Sequence, residues 1–127
     1  MKLLLDTHAF LVAIAAPAKL SDKVRGLLTD NSVERYVSTV SIWEVAIKVQ
    51  IGKLDMPVDR AFYTAHVKAL KARVLAVEFP HSLAVFSLPM HHRDPFDRML
   101  IAQAREEGMV LVTRDTAFEA YEVPTVW

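Results

Sequence analysis

The chain has no cysteine, only three glycines and no excess of either charge, with 15 Lys and Arg against 15 Asp and Glu. Each shortage removes a class of function. Without cysteine there are no disulfides, no thiolate metal site and no zinc-finger chemistry, which fits a reducing compartment. No G-x-x-x-x-G-K-[ST] phosphate loop occurs, so ATP-dependent chemistry is not expected. A net charge of zero provides no overall field to steer the molecule toward nucleic acid, so a polyanion would have to be held by a local patch. A long unbroken apolar run is missing as well. The opening MKLLLDTHAFLVAIAAPAKL starts like an export signal, with Lys2 before apolar residues and small residues near Ala16, but Asp6 and His8 interrupt it. Neither a signal peptide nor a membrane span is expected, and a cytoplasmic location is.

What is present suits one globular unit. A chain of 127 residues can bury a real core but not two comfortable ones, so a single domain over 1–127 is expected. The hydrophobic share, 53%, is high for that size and points to apolar surface covered by a partner or a second copy. Short apolar runs at 2–5, 35–39, 74–77 and 109–113 read as strands covered on both faces, and PTVW near the end adds a short edge strand. Between them, 7–15, 21–30, 41–51, 59–72, 82–88 and 94–107 have helical periodicity, and Gly52 and Gly108 stand where helices end. Strands separated by helices imply a parallel β-sheet flanked by helices, a three-layer α/β/α sandwich. Ligands of such folds gather beyond the carboxyl ends of the strands.

Several acids fall there, and each has an ordinary explanation. Asp6 follows LLL and opens a helix, where Asp is a favoured N-cap. Glu44 forms an S-x-x-E capping-box spacing with Ser41 and lies four residues before Lys48. Yet Trp43, Val45, Ala46, Ile47 and Val49 make that segment apolar nearly all round, and a carboxylate buried with them needs a cation. In RDPFD, Asp94 is the expected N-cap and Pro95 the first helical residue, which leaves Asp97 less needed structurally. Leu100, Ile101 and Ala104 follow Asp97 at helical spacing, so it faces the buried side. Asp115 ends MVLVTRD and can cap the turn TAFEAY. In the expected topology Asp6, Glu44, Asp97 and Asp115 converge at one end of one sheet.

Crowded carboxylates repel and titrate together unless a cation joins them. An all-oxygen set suits Mg²⁺ or Mn²⁺, and an ion so held activates water toward a phosphodiester. The histidines form no H-x-x-x-H or H-E-x-x-H pair, so His91 and His92 read as loop or surface residues, with His8 able to support a ligand from behind. Two other classes remain open. One is a non-catalytic α/β interaction module whose acids are only helix caps. The other is an α/β phosphatase or receiver domain, although the residue two after Asp6 is His8 rather than the aspartate of a D-x-D nucleophile, and no receiver-type lysine stands near the last strand.

Taken in order, LLLDTHAFL, VSTVSIWEVAIKVQIGKL, HHRDPFDRMLIAQA and LVTRD, with the final YEVPTVW, resemble the successive blocks of a PIN-domain protein of the VapC toxin type. The resemblance runs from Leu3 to Trp127. It implies a metal-dependent endoribonuclease that is the toxin of a toxin–antitoxin pair, forms a homodimer and is inhibited by a VapB-type antitoxin whose C-terminal segment crosses the active-site groove. Residue by residue, it places the catalytic and metal-holding acids at Asp6, Glu44, Asp97 and Asp115. Thr7 and Thr113 match polar positions that support them, and Asp94 is a neighbour of the site. Val12, where relatives often carry Trp, departs from the pattern at no chemical position. An acidic centre needs a cationic rim to hold RNA, and Arg93, Arg98, Arg114, Lys48 and Lys53 are the candidates, against the ordinary role of such residues as solvated surface.

Overall fold

The computed structural model describes residues 1–127. Five parallel strands form one sheet in the order β3-β2-β1-β4-β5. They are β1 Lys2–Leu5, β2 Glu34–Ser38, β3 Arg73–Leu75, β4 Val110–Val112 and β5 Thr125–Val126. The helices are α1 Thr7–Ala15, α2 Asp22–Thr29, α3 Thr39–Gln50, α4 Arg60–Ala69, α5 Phe79–Ala84 and α6 Pro95–Glu107. The parallel sheet flanked by helices is the sandwich that the alternating pattern implies.

The central strand explains the layers. Leu3, Leu4 and Leu5 are all fully buried, and alternate side chains leave opposite faces of the strand. Leu3 and Leu5 join Phe10, Val24, Leu28, Val37 and Val112 under α1 and α2, with Tyr63 and Val67 of α4 packed at the margin. Leu4 joins Leu100, Ile101, Leu111, Phe118 and Tyr121 under α6 and the 3₁₀ turn Thr116–Tyr121. Helix α3 touches both α1 and α6 and so closes the gap between the two layers. No helix is long and apolar enough to cross a membrane.

Local boundaries depart from the sequence reading in instructive places. Helix α3 starts at Thr39, because Ser38 is its N-cap and accepts from the Val40 amide at 3.0 Å. Ser41 therefore lies inside the helix, and the Ser41–Glu44 capping box does not form. Nor is α3 buried all round: Trp43 is 62% exposed, and the covered face is Val40, Ser41, Glu44 and Val45. Helix α4 stops at Ala69, where the Leu70 amide closes back on the His66 carbonyl and Lys71 adopts a left-handed φ of 53°. The helix expected over 82–88 begins at Phe79, since proline is well tolerated in a first turn, and gives way to a 3₁₀ turn over Val85–Ser87. Gly108 caps α6 with φ 65°, the left-handed conformation in which a helix commonly ends.

Candidate metal centre

The chain leaves β1 toward β2 on one side, while β4 lies on the other, so the crevice beyond β1 and β4 is the point where strand order reverses. The paired ladder carries on just past it, with the Asp6 amide donating to the Val112 carbonyl at 3.0 Å. Beyond those strand ends lies a cleft of about 520 Å³ lined by Asp6, Glu44, Asp94, Asp97 and Asp115 together with Thr7, His8, Lys48, Lys53 and Arg114. Carboxylates from β1–α1, from α3, from the start of α6 and from the end of β4 thus share one space.

Capping and site formation are not alternatives here. Asp6 caps α1 through Oδ1, which accepts from the Ala9 amide at 2.7 Å. Asp115 caps the 3₁₀ turn through Oδ1, accepting from Ala117 at 2.9 Å. Asp94 caps α6 through Oδ1, accepting from Phe96 and Asp97 at 2.8 and 3.2 Å. In each case one oxygen satisfies orphan helix amides and leaves its twin outside those bonds. Asp97 caps nothing. It stands one turn into α6 with its carboxylate half-buried, and burial, reinforced by the charges of Asp94, Glu44, Asp6 and Asp115, pushes its pKa up to about 7. Burial also raises Asp6, against the lowering hydrogen bonds from Thr113 and from the Ala9 amide.

Glu44 sits in a different environment. It is buried, accepts from the Thr7 hydroxyl on Oε1 at 2.6 Å, and pairs with Lys48 through Oε2 at 2.7 Å. The Thr7 hydroxyl also lies 3.1 Å from that of Ser41. The hydrogen bond to Glu44 in turn raises the Lys48 pKa, with Asp94 and Asp97 adding to it. Thr113, the other polar position, holds the loop after β4 by accepting from the Asp115 amide at 3.0 Å.

Of the five expected RNA-contacting cations, three line the cleft and two do not. Lys48, Lys53 and Arg114 are on its wall, and Arg114 lies over the Trp127 ring at 5.7 Å. Arg93 is exposed but opens onto the neighbouring apolar hollow with Trp43 and Phe96. Arg98 is corrected outright: it is 8% exposed, and its guanidinium donates to the carbonyls of Pro89 and Leu88 at 2.8 and 3.3 Å and to the Tyr121 hydroxyl at 3.2 Å. Its position on α6 places it on the core side, where a planar, permanently charged fork can satisfy several carbonyls of a turn at once.

His92, which reads as a surface residue in the sequence, belongs to the cleft. Its Nε2 lies 3.2 Å from Asp97 Oδ2 and 4.0 Å from Asp115 Oδ2. These ligand-type atoms of His92, Asp97 and Asp115 all lie within 4.8 Å of one another. The residue precedes α6 rather than riding on it, so no helical period signals it; its nearness to DPFD in the chain is the only hint. The oxygen-rich donor set, with no lysine or arginine paired to Asp97, suits a hard divalent ion such as Mg²⁺ or Mn²⁺. Such an ion would offset the burial and the neighbouring negative charges that raise Asp97.

Comparison with known proteins agrees with this architecture. The family model of the PIN domain matches residues 3–124. VapBC from Salmonella typhimurium in a DNA-bound crystal structure aligns with TM-score 0.74 at 15% identity, covering 99% of this chain and 97% of that chain. VapBC2 from Rickettsia felis, bound to a DNA fragment from the promoter, aligns with TM-score 0.73 at 13% identity, covering 99% and 98%. FitAcB from Neisseria gonorrhoeae aligns with TM-score 0.63 at 17% identity, covering 98% and 96%. No curated protein matches. At such identities the likeness to these structures is one of fold. The match over nearly the full length, on a sheet whose reversal point gathers the acids of four chain segments, means that the chain belongs to the PIN domain family.

Proposed function

We propose that this PIN protein is a Mg²⁺- or Mn²⁺-dependent endoribonuclease, the VapC-type toxin of a toxin–antitoxin pair. The observation that carries the reading is the convergence of Asp6, Glu44, Asp94, Asp97 and Asp115 on one cleft, where burial and the neighbouring charges raise the pKa of Asp97. Burial and like charge both penalise the ionised form of that carboxylate, and a bound cation would offset both. PIN membership and the VapBC folds it resembles support the same reading.

Asp6, Asp97 and Asp115 would hold the ion, with Glu44 reaching it when Lys48 gives way. When bound, the cation polarises water and a phosphoryl oxygen for hydrolysis of the phosphodiester. The chain's own groups do the remaining work. The Ala9 and Ala117 amides fix Asp6 and Asp115 through Oδ1. Thr7 fixes Glu44. Lys48, Lys53 and Arg114 supply the positive rim that brings RNA phosphates to an acidic floor. Attack by water leaves a 5′-phosphate and a 3′-hydroxyl, whereas attack by the ribose 2′-hydroxyl leaves a cyclic phosphate. Residues 1–127 act as one PIN unit in the cytoplasm. A VapB-type antitoxin would place its C-terminal segment across this cleft, where an antitoxin arginine can pair with the acids in place of metal. Exposed Phe79, Phe86 and Met90 give a homodimer or an antitoxin apolar surface to cover.

The test is cleavage of total RNA with Mg²⁺, with Mn²⁺ and with EDTA, followed by end mapping. Metal-dependent cuts bearing 5′-phosphates are expected. Cleavage that persists in EDTA and leaves cyclic phosphate would overturn the mechanism, and no cleavage under any condition would favour the interaction-module reading.

A further inference from the structure

We propose that Trp127 is a positioning residue of the cleft: its indole holds the Arg114 guanidinium off the acids, which leaves the acids open to a cation and the arginine open to an RNA phosphate. This rests on the nuclease reading of the cleft. Arg114 stands two residues past β4, directly before Asp115, and lines the same cleft as Asp6, Asp97 and Asp115. An exposed arginine in such company would ordinarily form a two-pronged pair with a carboxylate. No carboxylate lies within ion-pair distance of it. Its guanidinium carbon stands 5.7 Å from the centre of the Trp127 ring instead, inside the range over which the face of an indole attracts a cation. Lys48 shows the alternative, closing on Glu44 Oε2 at 2.7 Å and occupying that carboxylate.

The edge of the sheet builds the perch. Strand β5 pairs in parallel with β4, Val126 opposite Val112, and the Thr113 amide donates to the Val126 carbonyl at 3.0 Å. Trp127 is the next residue, so it leaves the sheet at the level of the turn that carries Arg114. The indole is partly buried against the core cluster that holds Leu5, Phe10 and Val112, and the His8 ring stands beside it with centroids 6.2 Å apart. The ladder and the packing thus fix Trp127, whereas Arg114 is exposed and takes its direction from the indole. Held there, the guanidinium keeps its donors for a ligand. Without the aromatic face it is free to swing onto the neighbouring acids and compete with a metal ion for their oxygens, as Lys48 does at Glu44.

Three measurements test the role without relying on RNA cleavage. In wild-type protein, proton NMR should show the Arg114 side-chain protons shifted upfield by the ring current of the indole. Mn²⁺ binding is then compared among wild type, Trp127→Leu, which keeps apolar packing but has no π face, Trp127→Phe, which keeps one, and Trp127→Leu combined with Arg114→Ala. About fivefold weaker binding is expected for the leucine variant, the equivalent of a cation–π contact of roughly 1 kcal/mol, with recovery in the phenylalanine variant and in the double variant, which has no arginine left to compete. Binding of a single-stranded oligouridylate in EDTA, followed over a range of salt, should show the slope for Trp127→Leu reduced by about 1. Unshifted Arg114 protons, leucine-variant binding equal to wild type for Mn²⁺ or for RNA, or a Mn²⁺ deficit that persists once Arg114 is removed would overturn the role while leaving the nuclease reading intact. Wild-type protein that binds neither Mn²⁺ nor RNA overturns the nuclease reading and this role with it.

Discussion

The two ends of the cleft handle negative charge in opposite ways. At the α3 end, Glu44 is buried but compensated, one oxygen taken by Thr7 and the other by Lys48. At the α6 end, Asp97 faces Asp94, Asp6 and Asp115 with no lysine or arginine paired to it, and the His92 Nε2 lies 3.2 Å from its Oδ2. The first end is complete as an ion pair. The second is incomplete as it stands, and the proposed cation would complete it.

The largest effect is expected from emptying the bare end. Asp97→Asn should lower RNA cleavage by at least about a hundredfold, since a lost ligand costs no less than a lost supporting group. The same substitution at the paired end, Glu44→Gln, should cost less, because Lys48 already competes for that carboxylate. Single-turnover rates for the two variants would reverse the comparison if Glu44 proved the more sensitive.

Next in size is a stability effect that distinguishes the ends in metal-free protein. Asp97 has a folded-state pKa near 7 against an unfolded value of 3.8, so folding favours its protonated form. Its charge therefore destabilises the fold fully above pH 7; the penalty fades as pH falls through 7 and vanishes below 3.8. Asp97→Asn should stabilise metal-free protein at pH 8 by roughly 2–4 kcal/mol, shrinking toward pH 5, and Mg²⁺ should favour wild type instead. Chemical denaturation at the two pH values checks it, and an Asn variant no more stable than wild type at pH 8 would count against an uncompensated carboxylate.

A comparable loss is expected behind the bare end, with a different signature. Arg98→Ala leaves several buried carbonyls unpaired and should cost roughly 2–4 kcal/mol of stability. Arg114→Ala should cost little stability but reduce the salt slope of RNA binding by about 1. Binding isotherms at several salt concentrations separate an arginine that holds the fold from one that holds phosphate. The smallest effect belongs to the paired end. Lys48 is partly exposed, so Lys48→Met should destabilise by on the order of 1 kcal/mol, and a melting curve unchanged from wild type would show the pair to be structurally neutral.

Much of this cleft could be read before the structure because its parts are local. An aspartate after an apolar strand is a cap whatever surrounds it, and the D-P-x-D opening of α6 specifies a start, a rigid first turn and an acid one turn in. What misled was long-range context. Arg98 reads as a surface cation beside a motif, yet the chain places its side chain among Leu88, Pro89 and Tyr121, which come from segments on either side of α6. His92 has no periodicity to declare its direction, which is set by the Tyr121 hydroxyl, 29 positions away, on its backbone amide and by the Asp94 amide on its ring. Glu44 is buried as the apolar helix suggests, but through its contact with Thr7 rather than through an apolar surround, since Trp43 beside it faces solvent.

The sequence by itself determined the alternation of strands and helices, the caps and the glycine stops, and hence a parallel sheet with acids beyond its strand ends. These follow from periodicity and from backbone groups that must be satisfied within a few residues. Only the tertiary structure decided which acids stand next to a lysine and which do not, that Arg98 is a strut, and that a histidine lies beside two of the carboxylates. The reason is that charge compensation and side-chain direction depend on neighbours tens of residues away, and the order β3-β2-β1-β4-β5 chooses those neighbours.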